Sequence, residues 1–210
     1  SMAEVCNANK VFTNQVSPAE LQLEMIGYRP RRRAVVRVSY GDAPQVVYVK
    51  VLRARLFDDV LQRHNLLAAA GIPVAEVAAT TSDHLLMLRE LPGRPLSQAV
   101  FDATQPCTAE DLINLLDAMP SSVSRLDRRP PWSDAVGHYA RIVAAALPAL
   151  EAKLDRLVDT ITSGLASVPL GSEPTHGDFH EGQVHVRDGR ICGLLDTDTI
   201  GPGRRADDLA

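Results

Sequence analysis

The chain has 210 residues, 45% of them apolar and 23% charged, with a formal net charge of −4. That length allows one large domain or two lobes around a real core, and the mildly acidic balance leaves no global electrostatic case for nucleic-acid binding. The three cysteines, Cys6, Cys107 and Cys192, are scattered without a CxxC pair, and the apolar stretches are too short to span a membrane.

With no basic and apolar leader at its start, the chain is expected in the cytoplasm, and Ser1-Met2 reads as a remnant without fold information. The first clear elements are two strands at 34–40 and 45–52, joined by the turn Gly41-Asp42-Ala43-Pro44. Strand side chains alternate, so Val47, Val49 and Val51 share one face and Tyr48 and Lys50 the other. Residues 55–70 read as a helix, with Leu56, Val60, Leu61, His64 and Leu67 at helical spacing and Gly71 as its stop. "VAEVAAT" and "HLLMLREL" are two further strands, closed by Pro92-Gly93. From about residue 97 to 168 the pattern is mostly helical. "TAEDLINLLDAM" starts at the N-cap Thr108, and a long amphipathic run from Trp132 is expected to break near Pro148.

The densest chemistry lies in "THGDFHEGQVHVRDGRICGLLDTD", residues 175–198. Asp188-Gly189 is a two-residue hairpin turn that needs positive φ at both positions. Pairing Arg187 with Arg190 sets Val184 opposite Gly193 and brings Gln183 within a residue or two of Asp196. Oxygen ligands from Asp178, Gln183 and Asp196 suit a hard cation such as Mg²⁺. His176, His180 and His185 invite a zinc reading, but Gly177 argues against the helix that it would need. "GPGRRA" formally fits a dinucleotide fingerprint without the strand–helix context.

The stretch from His176 to Asp198 resembles the catalytic segment of the aminoglycoside phosphotransferase family, within the protein-kinase-like superfamily, whose pattern is H-G-D-x-x-x-x-N, a hairpin, then [IL]-D-x-[DE]. "VVYVKVL" resembles the family's strand bearing the phosphate-binding lysine, "LMLRELPGRPL" its inter-lobe hinge, and "GPGRRADDLA" the stretch after the metal-binding aspartate. The resemblance covers most of residues 34–210 and implies an α+β, two-lobed, protein-kinase-like fold. Residues 1–91 would be the nucleotide-binding lobe and 92–210 a helical catalytic lobe, ending at Ala210 where the family continues with further helices. It implies ATP, or GTP, against the hinge at Arg89, Glu90 and Leu91, with Lys50 on the phosphates. Gln183 and Asp196 would hold Mg²⁺, and Asp178 would act as catalytic base or orient the hydroxyl of a small-molecule acceptor. No nucleic-acid or membrane partner is expected, and the oligomeric state stays open.

Three features depart from that pattern. Gln183 stands where the family has Asn. "GYRPRRRAVV" offers four arginines, Arg29, Arg31, Arg32 and Arg33, instead of a glycine-rich loop; they are either a solvated face or cations that compensate for the missing glycines. No helix glutamate is in place for Lys50, and Asp58 and Asp59 are the nearest substitutes. Asp207 and Asp208 either cap a helix or brace the catalytic loop. The departures leave a second expectation beside the kinase, a catalytically impaired nucleotide-binding or regulatory module.

Overall fold

A computed structural model describes residues 1–30, 33–42, 44–104 and 106–209. In chain order the elements begin with α1 (Met2–Ala8), β1 (Leu21–Arg29), β2 (Arg33–Tyr40), β3 (Gln45–Val51), α2 (Ala54–Ala69), β4 (Val77–Thr80), β5 (Leu85–Arg89) and β6 (Arg94–Pro95). They continue with α3 (Leu96–Phe101), α4 (Ala109–Asp117), α5 (Val136–Ala146), α6 (Glu151–Leu165), β7 (Glu173–Thr175), β8 (Val184–Arg187), β9 (Arg190–Leu194), β10 (Gly201–Gly203) and α7 (Arg205–Leu209). The chain divides into two compact units, Ser1–Pro120 with His180–Asp198, and Ser121–Phe179 with Thr199–Ala210.

The first unit is built on an antiparallel sheet of order β1-β2-β3-β5-β4. The alternation read from "QVVYVKV" decides what each face does. Val47 and Val49 are wholly buried and pack with Val38, Met87 and the apolar residues of α1 and the segment after it, Cys6, Val11 and Phe12. On the other face Leu86 and Leu88 join Leu91 and the α2 residues Phe57 and Val60. Lys50 lies opposite Leu86 in register and therefore shares this second face. Helix α2 buries Val60, His64 and Leu67 as its periodicity predicts, but Phe57 takes the place expected for Leu56. Arg63 is also fully buried there, its charge paired with Asp59 one turn back at 2.8 Å.

The N-terminal helix and strand lie outside the sequence reading, as do the short strands β6, β7 and β10. Ser1 is a working N-cap: Glu4 N–H donates to its hydroxyl, and the Glu4 carboxylate bonds the amino terminus at 2.7 Å. Strand β1 occupies part of the stretch read as a nucleotide loop. It is an edge strand whose Leu23, Met25, Ile26 and Tyr28 are 50–66% exposed, so the alternation of its first five residues marks no fully buried face. Arg31, Arg32 and Ala43 lie outside the described residues.

The β8–β9 hairpin forms as expected at its tip, with Asp188 and Gly189 at φ 53° and 71° and Arg187 opposite Arg190. Farther along, a bulge between His185 and Val186 puts Val184 opposite Leu194, not Gly193. Cys192 is the extra residue, and its thiol turns to the Pro92 carbonyl at 3.2 Å. The shift still leaves Gln183 beside the end of the hairpin, since Leu195 N–H donates to its carbonyl at 2.8 Å.

In the second unit the long amphipathic run breaks where proline predicts, α5 ending before Leu147 and α6 starting after a 3₁₀ turn at Pro148–Leu150. The two helices pack against each other, and neither buries a residue fully. Among the described residues no helix is long and apolar enough to cross a membrane.

Gly93 ties the first unit together at the start of β6. Its φ is +76°, and a Cβ there would press on the Val186 carbonyl oxygen and lie 2.7 Å from Cys192 Sγ. Gly93→Ala therefore combines left-handed strain of about 1–3 kcal/mol with a clash against backbone that cannot swing aside. Thermal unfolding of the variant should show a Tm lower by several degrees, at about 2–4 °C per kcal/mol for a chain of this size.

Candidate active site

The segment that follows β9 leaves the hairpin in an unusual backbone conformation. Asp196 has φ +51°, a left-handed geometry that aspartate tolerates better than bulkier residues. It presents its carboxylate, with that of Asp198, to two cations from the sheet. Arg33 Nη1 and Nη2 each donate to one oxygen of Asp196 at 2.9 Å, and Nη1 also reaches Asp198 Oδ2 at 2.7 Å. Lys50 Nζ donates to Asp196 Oδ1 at 3.2 Å and to Asp198 Oδ1 at 2.8 Å. Burial pushes the Asp196 carboxyl up, but the Arg33 hydrogen bonds and the charges of Lys50 and Arg33 outweigh it. The carboxyl is held well below its ordinary range.

Behind this cluster His64, 3% exposed, bonds the Ala75 carbonyl through Nε2 at 2.7 Å. A carbonyl only accepts, so Nε2 carries the proton and Nδ1 is left to accept from Thr197 Oγ1 at 3.4 Å. Burial pushes the imidazole below its ordinary value, the Ala75 bond opposes this, and the charge of Lys50 adds to the depression.

Arg33, Lys50 and Asp196 form one side of a cavity of ≈ 810 Å³ within the first unit. Gln183 and the stretch from Arg89 to Pro95 also line it. Six of the seven site residues read from the sequence thus surround one space: Lys50, Arg89, Glu90, Leu91, Gln183 and Asp196. Their side chains are not equally free. Arg89 is turned to the Val11 carbonyl at 3.0 Å and to Glu76 at 3.3 Å, Glu90 accepts from the Tyr48 hydroxyl at 3.2 Å, and Leu91 belongs to the core. The Gln183 amide nitrogen lies 3.2 Å from His180 Nε2.

Asp178, the seventh, lies in the second unit. Its carboxylate accepts from the Trp132 indole N–H at 3.2 Å, and Trp132 packs on Tyr139 with ring centroids 5.7 Å apart. The preceding residues are fixed by Asp208, whose two oxygens accept from His176 N–H at 2.7 Å and Gly177 N–H at 2.8 Å. This decides between the two roles open for the acidic pair: Asp208 braces the loop, while Asp207 binds Arg204 at 3.0 Å. Gly177 has φ +81°, and a Cβ there would lie 2.8 Å from the Thr199 carbonyl oxygen, so the loop accepts only glycine at that point.

The sequence offers no helix glutamate for Lys50, only Asp58 and Asp59 of α2 as the nearest substitutes. Asp59 is instead taken by Arg63, and Lys50 pairs with Asp196 and Asp198. Arg33, Asp198 and Trp132 carry site contacts that no local pattern singled out. Arg33 appeared only within an arginine run, and Asp198 only as the end of a motif.

A model of the phosphotransferase enzyme family matches residues 29–210. The chain belongs to this phosphotransferase family. Its fold is that of the protein-kinase-like phosphotransferases. A thermostable mutant of an aminoglycoside phosphotransferase, in ternary complex with ADP and hygromycin B, aligns at TM-score 0.62 and 17% identity, over 90% of this chain and 70% of that one. A spectinomycin phosphotransferase in complex with ADP and spectinomycin gives 0.60 and 15%, over 90% and 66%. A choline/ethanolamine kinase family protein from Mesorhizobium loti gives 0.59 and 17%, over 96% and 66%. A comparison with curated protein sequences found no match.

Two predictions follow from the bracing contacts. Asp208→Asn keeps the size of the side chain but replaces one acceptor by an NH₂ group, so a buried backbone N–H loses its partner at a cost of about 1–3 kcal/mol. Denaturant titration should show that loss without a change in the slope of the transition. The second concerns His64. The unfolded imidazole takes up a proton near its ordinary 6.5, which the folded state resists. Stability therefore falls as pH drops through 6.5 toward the depressed folded value, and is fully present above it. Tm measured from pH 7.5 to 5 should fall less in His64→Gln than in the parent.

Proposed function

We propose that this phosphotransferase moves the γ-phosphate of ATP, or of GTP, to a hydroxyl of a small molecule. The observation that carries the reading is the convergence of Lys50 and Asp196 on the wall of a cavity whose other side is the chain from Arg89 to Pro95, with Asp198 paired to the same lysine. The adenine would lie against the backbone of Arg89, Glu90 and Leu91, and Lys50 would leave the carboxylates to hold the α- and β-phosphates.

The donor set fits magnesium. Asp196 and Asp198 already share one cationic atom, Arg33 Nη1, at 2.9 and 2.7 Å, and Gln183 can add a carbonyl oxygen to two carboxylates. Oxygen donors in that number, completed by substrate phosphates, are what Mg²⁺ prefers. Bound there, Mg²⁺ would neutralise charge on the transferring phosphates. Asp178 would orient the acceptor hydroxyl and take its proton as the new O–P bond forms and the bond to the β-phosphate oxygen breaks. The Trp132 indole fixes one oxygen of that carboxylate and leaves the other for the hydroxyl. In this reading residues 1–91 are the nucleotide-binding lobe and 92–210 the catalytic lobe.

The acceptor class follows from the relatives only in outline: aminoglycosides, spectinomycin and choline-like alcohols form the first panel to test with ATP and Mg²⁺. A second reading, a nucleotide-binding module without turnover, is favoured by Arg33 lying across both carboxylates. Turnover with any acceptor of the panel excludes it.

Two variants test the roles. Asp178→Asn should lower transfer by about 10²–10⁴-fold, the usual worth of a positioned acid–base group, while ATP affinity by calorimetry stays at the parent value. Lys50→Ala removes charge-assisted contacts of about 1.5–3 kcal/mol and should weaken ATP binding about tenfold or more. Parent-like turnover in Asp178→Asn, or parent-like ATP affinity in Lys50→Ala, would overturn the corresponding role.

A further inference from the structure

Arg33 has no place in the machinery just described, yet it makes more contacts with the two carboxylates than Lys50 does. Its position is set by the sheet. Arg33 opens β2 opposite Arg29, and Val35, two residues on, lies opposite Lys50. Residues two apart on a strand, and residues opposite each other on neighbouring strands, point to the same face. The two cations therefore project together toward Asp196 and Asp198. They leave no carboxylate oxygen without a cation: Lys50 takes both Oδ1 atoms, and the Arg33 fork takes both Oδ2 atoms and shares Asp196 Oδ1.

A divalent cation approaching these oxygens meets two positive charges already placed on them, so its binding is opposed until one of the two side chains withdraws. Arg33 is the more exposed, at 22% against 12% for Lys50, and it stands at a strand end beside the hairpin tip, where its side chain has open cavity to swing through. Once released, the guanidinium meets a ligand of matching shape. Arginine binds phosphate oxygens with the same two-pronged geometry that it uses here on carboxylate. The sequence between β1 and β2 lacks the run of glycines whose backbone N–H groups would otherwise line a phosphate.

We propose that Arg33 is a phosphate ligand for the nucleotide, held across Asp196 and Asp198 in the nucleotide-free protein and exchanged for a divalent cation when the nucleotide arrives. The inference rests on the nucleotide-site reading of this cavity. Arg33 opposes metal binding to the empty site and supports metal–nucleotide binding, so a single substitution moves the two affinities in opposite directions.

The experiment measures both. Mn²⁺ binding to the nucleotide-free protein is followed by electron paramagnetic resonance, and ATP binding at saturating Mn²⁺ by calorimetry, for the parent, Arg33→Gln and Arg33→Lys. In Arg33→Gln, Mn²⁺ should bind about tenfold more tightly and ATP about tenfold more weakly, each the worth of one charge-assisted contact. Arg33→Lys keeps the charge but not the fork, and should shift both affinities the same way by less; it also serves if Arg33→Gln does not fold. Unchanged ATP affinity in both variants overturns the phosphate role, and unchanged or weaker Mn²⁺ binding overturns the exchange. If the parent binds ATP in a Lys50-dependent manner while Arg33 is silent, this inference alone fails. A parent that binds neither Mn²⁺ nor ATP removes the reading beneath it as well.

Discussion

Two carboxylates and two cations, none more than a quarter exposed, have to neutralise one another in the first unit. Unpaired, each would cost several kcal/mol to bury. That constraint accounts for much of the surrounding geometry. The register of β2 on β3 sets Arg33 and Lys50 on a common face, the left-handed backbone at Asp196 turns its carboxylate to them, and Thr197 between the two aspartates is fixed by the buried His64. A protonated His64 beside Lys50 would add a third positive charge to a balanced set, which is why the neutral tautomer, donating to Ala75, is the one the packing supports.

What the sequence made legible were the parts where one local rule decides. Alternation placed Lys50 on the face opposite Val47 and Val49, Asp188-Gly189 dictated the hairpin turn, and Thr108 and Pro148 marked helix boundaries. The misses are places where contacts distant in sequence or solvent exposure decide. Strand β1 alternates apolar and polar residues only from Leu21 to Met25, a bulge then shifts its register, and its apolar side chains at this edge lie in solvent. At the β8–β9 bulge Cys192 turns to a carbonyl 100 residues away in sequence, and no hairpin rule carries that information. The six cavity residues were found through motif and resemblance together, but the partner of Lys50 was not. Ion pairing depends on which charges share a space, and a sequence shows only which charges are near in number.

The reassigned partner of Lys50 changes how α2 is coupled to the site. Asp59 is committed to Arg63, a residue with no exposed surface, and Asp58 is exposed, while Lys50 pairs with Asp196 and Asp198. The helix's link to the cluster is a neutral one, from Thr197 to His64 and from His64 to Ala75. A neutral hydrogen bond between buried groups is little affected by salt, whereas the Arg33 contacts sit at a partly open cavity wall and are screened. The two sides of the cluster therefore answer to different variables: the helix side to proton concentration through His64, and the Arg33 side to ionic strength and to whichever cation or phosphate enters the cavity. Holding the loop from Asp196 to Asp198 on its buried side by an uncharged contact leaves it in place when the charges on its open side are rearranged, and an exchange of Arg33 for a metal ion requires that order of rigidity.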